Sequence, residues 1–345
     1  MHPISRKEDN CMKLETKRLI IRPFTLDDLP EFRKLLTIEE LPGWVMQQNR
    51  AEDFLKWQIS NYEKMDIING TVCFGIFDKT DGHILGNVGA GEHDDLHEPE
   101  LFYCLLVSER GHGFAAEAAA AVTEWVFANY DIPYLIGTVA EDNPASQRVL
   151  EKCGYKYVDT RTLKVHIMEE SYSFRYYRHY SNNVRLVPEL TEKGFALSPA
   201  ADADLNDYVR VKMTCYRRYI EAFYGNWNEA DQIQRNTELF YKTCSFTNFT
   251  KILLHEKTVG FFSYDVCEDR ISAVTLQMTE DARNLGMGSF ILRHILELGE
   301  KIRKPVYLRV FKTNPAKRLY ERFGFIVYDE TDSHYMMCCT TKSVI

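Results

Sequence analysis

The sequence predicts an α/β protein built from two copies of one folding unit, and three observations predict it. A glycine-bearing hexapeptide, Arg110-Gly111-His112-Gly113-Phe114-Ala115, stands between the apolar run Leu101–Val107 and a helix marked by Ala118, Ala119, Val122 and Val126. The same pattern, Arg-x-x-Gly-x-[Gly/Ala], recurs as Arg283-Asn284-Leu285-Gly286-Met287-Gly288, between Ile271–Met278 and a helix marked by Ile291, Ile295, Leu298 and Ile302. Landmarks also keep nearly one period: Arg110 and Arg283 are 173 residues apart, Asn143 and Asn314 are 171, and Gly154 and Gly324 are 170.

Each element of the first unit has a local cause. Residues 1–13 read as a polar leader without a signal core. Arg18–Phe24 is strand-forming, and Thr25 caps a helix carrying Leu29, Phe32, Leu35 and Leu36 until Pro42-Gly43 breaks it. A second amphipathic helix spans about 51–65. Thr71–Phe77 and Ile84–Ala90 flank Asp81-Gly82, a hairpin signal. After the glycine motif the helix continues to about Tyr130. Tyr134–Ala140 reads as a buried strand, Asn143-Pro144 starts a short helix stopped by Gly154, and 155–165 and 171–180 are two further strands.

The second unit repeats that order. Residues 183–192 read as a linker, which gives domains at 13–182 and 193–345. A strand at Phe195–Leu197 precedes a helix from about Asp202–Asp207 and a tyrosine-rich helical stretch, Met213–Tyr241. The hairpin Lys251–Leu254 with Val259–Val266, the strand 271–278, the motif, its helix to about Arg303, the strand Val306–Phe311 and a short helix ending at Gly324-Phe325 complete the series.

Bulk properties exclude several classes. A chain of 345 residues suits two cores, and 45% apolar with 27% charged residues predicts a soluble globular protein with no membrane segment. Nine scattered cysteines, without C-x-x-C pairs, predict reduced thiols in the cytoplasm and no metal site. A net charge of −8 argues against non-specific nucleic-acid binding and would suit a cationic amine. Oligomeric state is not legible.

At a strand-to-helix turn the first helical N–H groups lack partners and the dipole is positive, so each motif predicts a site for a phosphate-bearing molecule held by main chain. Glycine matters because a Cβ would obstruct the approach of phosphate oxygens. No G-x-x-x-x-G-K-[ST] is present. Gly111-x-Gly113-x-x-Ala116 matches a dinucleotide fingerprint, but Ser108-Glu109-Arg110 separates strand from glycine, and the second copy has Ile291 where a small residue is needed.

Both halves resemble the GNAT N-acetyltransferase superfamily, over about 13–182 and 193–340. The first half is similar to the branch that acetylates ribosomal-protein N-termini, through 16–24, Glu100–Tyr103, Arg110–Ala115, Asn143–Ser146 and Glu151–Tyr155. The C-terminal half resembles a general amine acetyltransferase, through Asn314-Pro315-Ala316 and Leu319–Phe325. The resemblance implies two domains, each a mixed central sheet flanked by helices, and direct acetyl transfer from acetyl-CoA to a small-molecule amine or a peptide N-terminus. It implies a pyrophosphate on the turns 110–115 (Arg110, Gly111, His112, Gly113, Phe114, Ala115) and 283–288 (Arg283, Asn284, Leu285, Gly286, Met287, Gly288). It also implies a pantetheine arm along Leu105 and along Leu276–Met278, and Tyr320 as the acid that protonates the thiolate. Leu150 occupies the matching position in the first half, with Ser146 as substitute. Asn143 and Asn314 either bond the pantetheine or begin the helix. Glu100 is the candidate base of the first half, or else a solvated charge, and His334 is the candidate of the second. Of Trp44, Trp57, Tyr216, Tyr219, Tyr224 and Trp227, one or two are expected to face the acceptor. In the alternative reading, one half is a non-catalytic acyl-CoA-binding or dimerising module.

Overall fold

The computed structural model describes residues 12–165, 169–181 and 184–340. Nearly all of the expected leader lies outside the described residues. The chain forms two compact units divided after Ser181.

The first unit runs β1 (Leu14–Glu15), β2 (Leu19–Arg22), α1 (Leu29–Leu35), α2 (Pro42–Val45), α3 (Ala51–Lys64), β3 (Thr71–Asp78), β4 (Ile84–Glu92), β5 (Pro99–Leu105), α4 (Phe114–Asn129), β6 (Tyr134–Ala140), α5 (Pro144–Lys152), β7 (Lys156–Val165) and β8 (Glu170–Tyr180). Its sheet has the order β1-β2-β3-β4-β5-β6-β8-β7. Helices cover both faces, which is why β3 and β4 are buried along nearly their whole length rather than at alternate residues. On one face the small residues Ala118 and Ala119 bring α4 close to Val72, Phe74 and Val88. On the other, Phe32 and Leu35 of α1 and Leu55 of α3 pack with Phe24 and Phe77. Full burial of each such side chain contributes about 1.5–3 kcal/mol.

The second unit runs α6 (Pro188–Glu192), β9 (Phe195–Pro199), α7 (Leu205–Tyr224), α8 (Glu229–Thr243), β10 (Asn248–Leu254), β11 (Lys257–Val266), β12 (Ile271–Met278), α9 (Met287–Lys301), β13 (Val306–Phe311), α10 (Ala316–Arg322), β14 (Ile326–Glu330) and β15 (His334–Cys339). Its order, β9-β10-β11-β12-β13-β15-β14, repeats β2-β3-β4-β5-β6-β8-β7 of the first unit. The fold class is as predicted: two mixed sheets flanked by helices.

Three features depart from the expected elements. The tyrosine-rich stretch is two helices, because Gly225 (φ +85°) ends α7 and the Asn228 side chain accepts the Asp231 N–H to open α8. The segment 183–192, expected as linker, contains α6, whose Leu190 is buried in the second unit. The hairpin β14–β15 is not marked in the sequence. All five β14 residues are exposed, so no alternation of apolar and polar residues betrays the strand.

What positions the site is the one parallel pair in each sheet. β5 meets β6 at a single register pair, Glu100↔Ile136, and β12 meets β13 only at Ile271↔Val306 and Val274↔Leu308. Beyond these points the strands splay, leaving strand edges without ladder partners on the side that leads to the glycine turn.

Candidate active site

Each turn is fastened by its arginine. Arg110 Nε donates to the Leu105 carbonyl (3.1 Å) and Nη1 to Glu40 (2.7 Å), while Arg283 Nε donates to the Met278 carbonyl (2.9 Å). These side chains thus tie turn to strand end instead of reaching outward. Gly111 (φ +85°) and Gly113 (φ +80°) need the left-handed region; in the second turn Asn284 (φ +62°) and Gly286 (φ +103°) take those places. Asparagine is among the few residues with a side chain that tolerate it.

The first helical bonds are Glu117 N–H to Gly113 O (3.2 Å) and Phe290 N–H to Gly286 O (3.1 Å). Among the described residues, the N–H groups from Gly111 to Ala116 and from Asn284 to Ser289 have no partner. A cation lies beside each turn, which no local motif announces. Arg18 Nη1 donates to the His112 carbonyl (2.8 Å), and Lys193 Nζ donates to the Leu285 carbonyl (3.2 Å). A Cβ on Gly111 would meet nothing within 4 Å, so the cradle is open. Free N–H groups, a helix N-terminus and an adjacent cation together fit a diphosphate.

In the second domain a cleft of about 530 Å³ runs past Gln277, Met278, Gly286, Gly288 and Tyr320. Gln277 is 2% exposed, and both polar atoms of its side chain lack a partner among the described residues. A larger cleft of about 870 Å³ is walled by α7, α8 and the strands β12 and β13. The two share Tyr216, Leu276, Asn314, Ala316 and Tyr320, so they meet at the splay. Tyr320 is buried there with no hydrogen bond from its hydroxyl among the described residues, and burial followed by nearby Tyr219 pushes its pKa up to about 12. The phenol therefore keeps its proton at neutral pH.

The first domain places its phenol on a different element. Leu150, at the place of Tyr320, is core: a Cβ on Gly137 would come within 2.7 Å of it. The phenol comes instead from Tyr103 on β5, whose hydroxyl lies 2.8 Å from Ser146 Oγ and donates to Ser146 O (3.1 Å). Tyr103 stands 173 residues before Leu276, the spacing of the two turns. Tyrosine and leucine have thus exchanged walls. Burial holds the Tyr103 pKa above its usual range. Only the period could have revealed this residue in sequence.

Both asparagines begin helices: Asn143 Oδ1 accepts the Ser146 N–H (3.1 Å) and Asn314 Oδ1 the Ala316 N–H (2.9 Å). Glu100 spans the strands at their last pair, accepting from Thr138 N–H (2.9 Å) and Oγ1 (2.6 Å). It is not the solvated charge that Pro99 suggested. Burial raises its carboxyl pKa, with His93 opposing. His334 lines the larger cleft, on Phe311 (3.9 Å between centroids), with Nδ1 2.8 Å from Ser333 Oγ. Burial, then Arg309, lowers its pKa and favours the neutral ring. Tyr216, Tyr224 and Trp227 line this cleft and Tyr219 the smaller one, more aromatics than expected, while Trp44 packs against Phe32 and Phe54.

Among the described residues no group of three or more His, Cys, Asp or Glu is placed to hold a metal ion, and no helix is long and apolar enough to cross a membrane.

Comparison with known proteins agrees with this architecture. Residues 18–156 match the family model described as acetyltransferase (GNAT) domain, and residues 213–325 match that described as acetyltransferase (GNAT) family. A curated relative, the uncharacterized N-acetyltransferase YnaD of Bacillus subtilis (strain 168), is 28% identical over 150 residues, 42% of this chain and 83% of its own. Among solved structures, a GNAT-family acetyltransferase from Bacillus anthracis is 20% identical with a TM-score of 0.41, covering 49% of this chain and 98% of its own. The ribosomal-protein-S5-alanine acetyltransferase from Vibrio fischeri is 14% identical with a TM-score of 0.41, covering 51% and 100%.

Proposed function

Since the chain belongs to the GNAT acetyltransferase family, with one such domain in each half, we propose that both halves transfer acetyl from acetyl-CoA directly to a primary amine, on a small molecule or a peptide N-terminus. The observation that carries this reading is the duplicated set of unpaired turn N–H groups, each beside a splayed strand pair and a phenol, half-buried for Tyr103 and buried for Tyr320.

When bound, acetyl-CoA supplies an activated thioester. The chain's own residues do the rest. The turns 110–115 and 283–288 hold the diphosphate by main chain, and the strand ends at Leu105 and Leu276–Met278 offer donors and acceptors to the arm. Leu276, Tyr216 and Tyr320 exclude water from the gap. Tyr320 Oη holds the proton destined for the departing sulfur in the second domain; Tyr103 Oη and Ser146 Oγ share it in the first. Glu100 and His334 take the ammonium proton. Juxtaposition contributes about 7–11 kcal/mol, whereas acid–base help supplies about 10²–10⁴-fold. A domain with an imperfect acid therefore still turns over, while one with an obstructed turn does not.

Leu150 favours a different reading, in which the first half only binds acyl-CoA. Release of free CoA with an amine panel tests the two. Activity in both Gly113→Val and Gly286→Val, abolished in the double variant, supports two catalytic halves. Activity confined to one of the single variants retires a half.

A further inference from the structure

The larger cleft of the second domain is basic within an acidic chain. Its charged lining comprises Lys212, Arg235, Lys242, Arg270 and Arg309 against the single carboxylate of Asp231. Arg270 is engaged by Asp269 at 2.5 Å, but Lys212, Arg235 and Arg309 have no ion-pair partner among the described residues. Lys212 is the decisive group. It is 8% exposed, and among the described residues its Nζ has no hydrogen-bond or ion-pair partner, lying over the rings of Tyr208 (5.8 Å) and Tyr216 (4.7 Å). Burying an amine with no acid, near a guanidinium, destabilises the empty cleft, and such an arrangement is repaid by a bound anion. The low-dielectric walls focus the positive potential into the cleft although the net charge is −8.

We infer that the acceptor of the second domain carries an anionic group, carboxylate or phosphate, that docks on Lys212 and Arg309 while its amine faces the strand gap beside Tyr320. This rests on reading the cleft as an acceptor site. Geometry limits the size of the acceptor. Tyr216 touches both clefts and lies one turn of α7 beyond Lys212, a rise of roughly 6 Å, so amine and acid are separated by a few bonds. An amino acid or a small phosphorylated amine fits; a long polyamine would bring its further charges among five cations and one carboxylate, Asp231.

The test uses the full chain in the Gly113→Val background and follows CoA release with matched acceptors: an α-amino acid against its carboxamide, phosphoethanolamine against ethanolamine, and a diamine. The expected result is at least a tenfold higher kcat/KM for the anionic member of one pair, and the pair that responds separates carboxylate from phosphate. Arg309→Gln should abolish that preference through KM, leaving acetyl-CoA affinity within twofold. Independently of turnover, inorganic phosphate should raise the Tm of the wild type more than that of Lys212→Met. Equal turnover of the uncharged or dicationic amines, a preference that survives Arg309→Gln, or equal phosphate shifts would overturn the anion site and leave acetyl transfer standing. Failure of the second domain to bind acetyl-CoA in calorimetry would remove the reading of the cleft, and this inference with it.

Discussion

Tyr103 with Leu150 in the first domain, and Tyr320 with Leu276 in the second, each place one phenol beside a strand gap, and on the proposed reading that phenol is the acid. Tyr320→Phe removes the hydroxyl and keeps the packing, so second-domain kcat should fall about 10²-fold with acetyl-CoA affinity unchanged, as steady-state rates and calorimetry would report. Tyr103→Phe should do the same in the Gly286→Val background, and Ser146→Ala should cost less if it only relays the proton. Equal rates for Tyr103→Phe and its parent would return the acid role to Ser146 alone. Lys212 makes a pH prediction. Burial, then Arg309, depresses its pKa to about 8, below the unfolded value of about 10.4, so between these values the unfolded chain binds more protons. The penalty is full below pH 8 and is relieved as pH rises towards 10, so stability should climb across that window. In Lys212→Met the climb should flatten, which urea titrations at pH 7.5 and 9.5 would show.

At the scale of elements, the proposed diphosphate site depends on backbone conformation more than on any one side chain, since it is the turns' N–H groups that are left unpaired. Gly113 has room for a side chain, with only Arg18 at 3.6 Å, but its φ of +80° does not suit one. An L-residue there costs roughly 1–2 kcal/mol or forces the turn to flip, turning the N–H groups away. Gly113→Val should therefore lose first-domain acetyl-CoA binding while circular dichroism stays native. Retained affinity would show that the diphosphate is held elsewhere. Element identity is legible where burial writes itself into sequence: Tyr134–Ala140, Ile271–Met278 and Val306–Phe311 are each dominated by apolar residues, and Pro133 and Pro305 mark the start of the first and last. The break between α7 and α8 and the strand β14 are not legible, since Gly225-Asn226 lies inside an aromatic run and β14 has no buried face.

For the whole molecule, two repeated sheets make two pockets the default expectation, and stoichiometry is its test. Calorimetric titration should find two acetyl-CoA sites per chain, one after either Gly113→Val or Gly286→Val, and none after both. A single site in the wild type would favour the reading in which one half has lost catalysis.

Duplication, fold and the two anion-ready turns were determined by sequence alone, since each depends on contiguous residues: a buried strand, a glycine that must take a left-handed turn, a helix that starts on it. Which side chains stand together at each strand gap and in the larger cleft was decided by tertiary structure. Tyr103 and Ser146 are 43 residues apart, and Glu100 and Thr138 are 38. Lys212 and Arg309 come from a helix and a strand far apart in the chain. Such pairs exist only once sheet register and helix packing bring distant segments together. The local code that writes a turn carries no record of what will stand across from it.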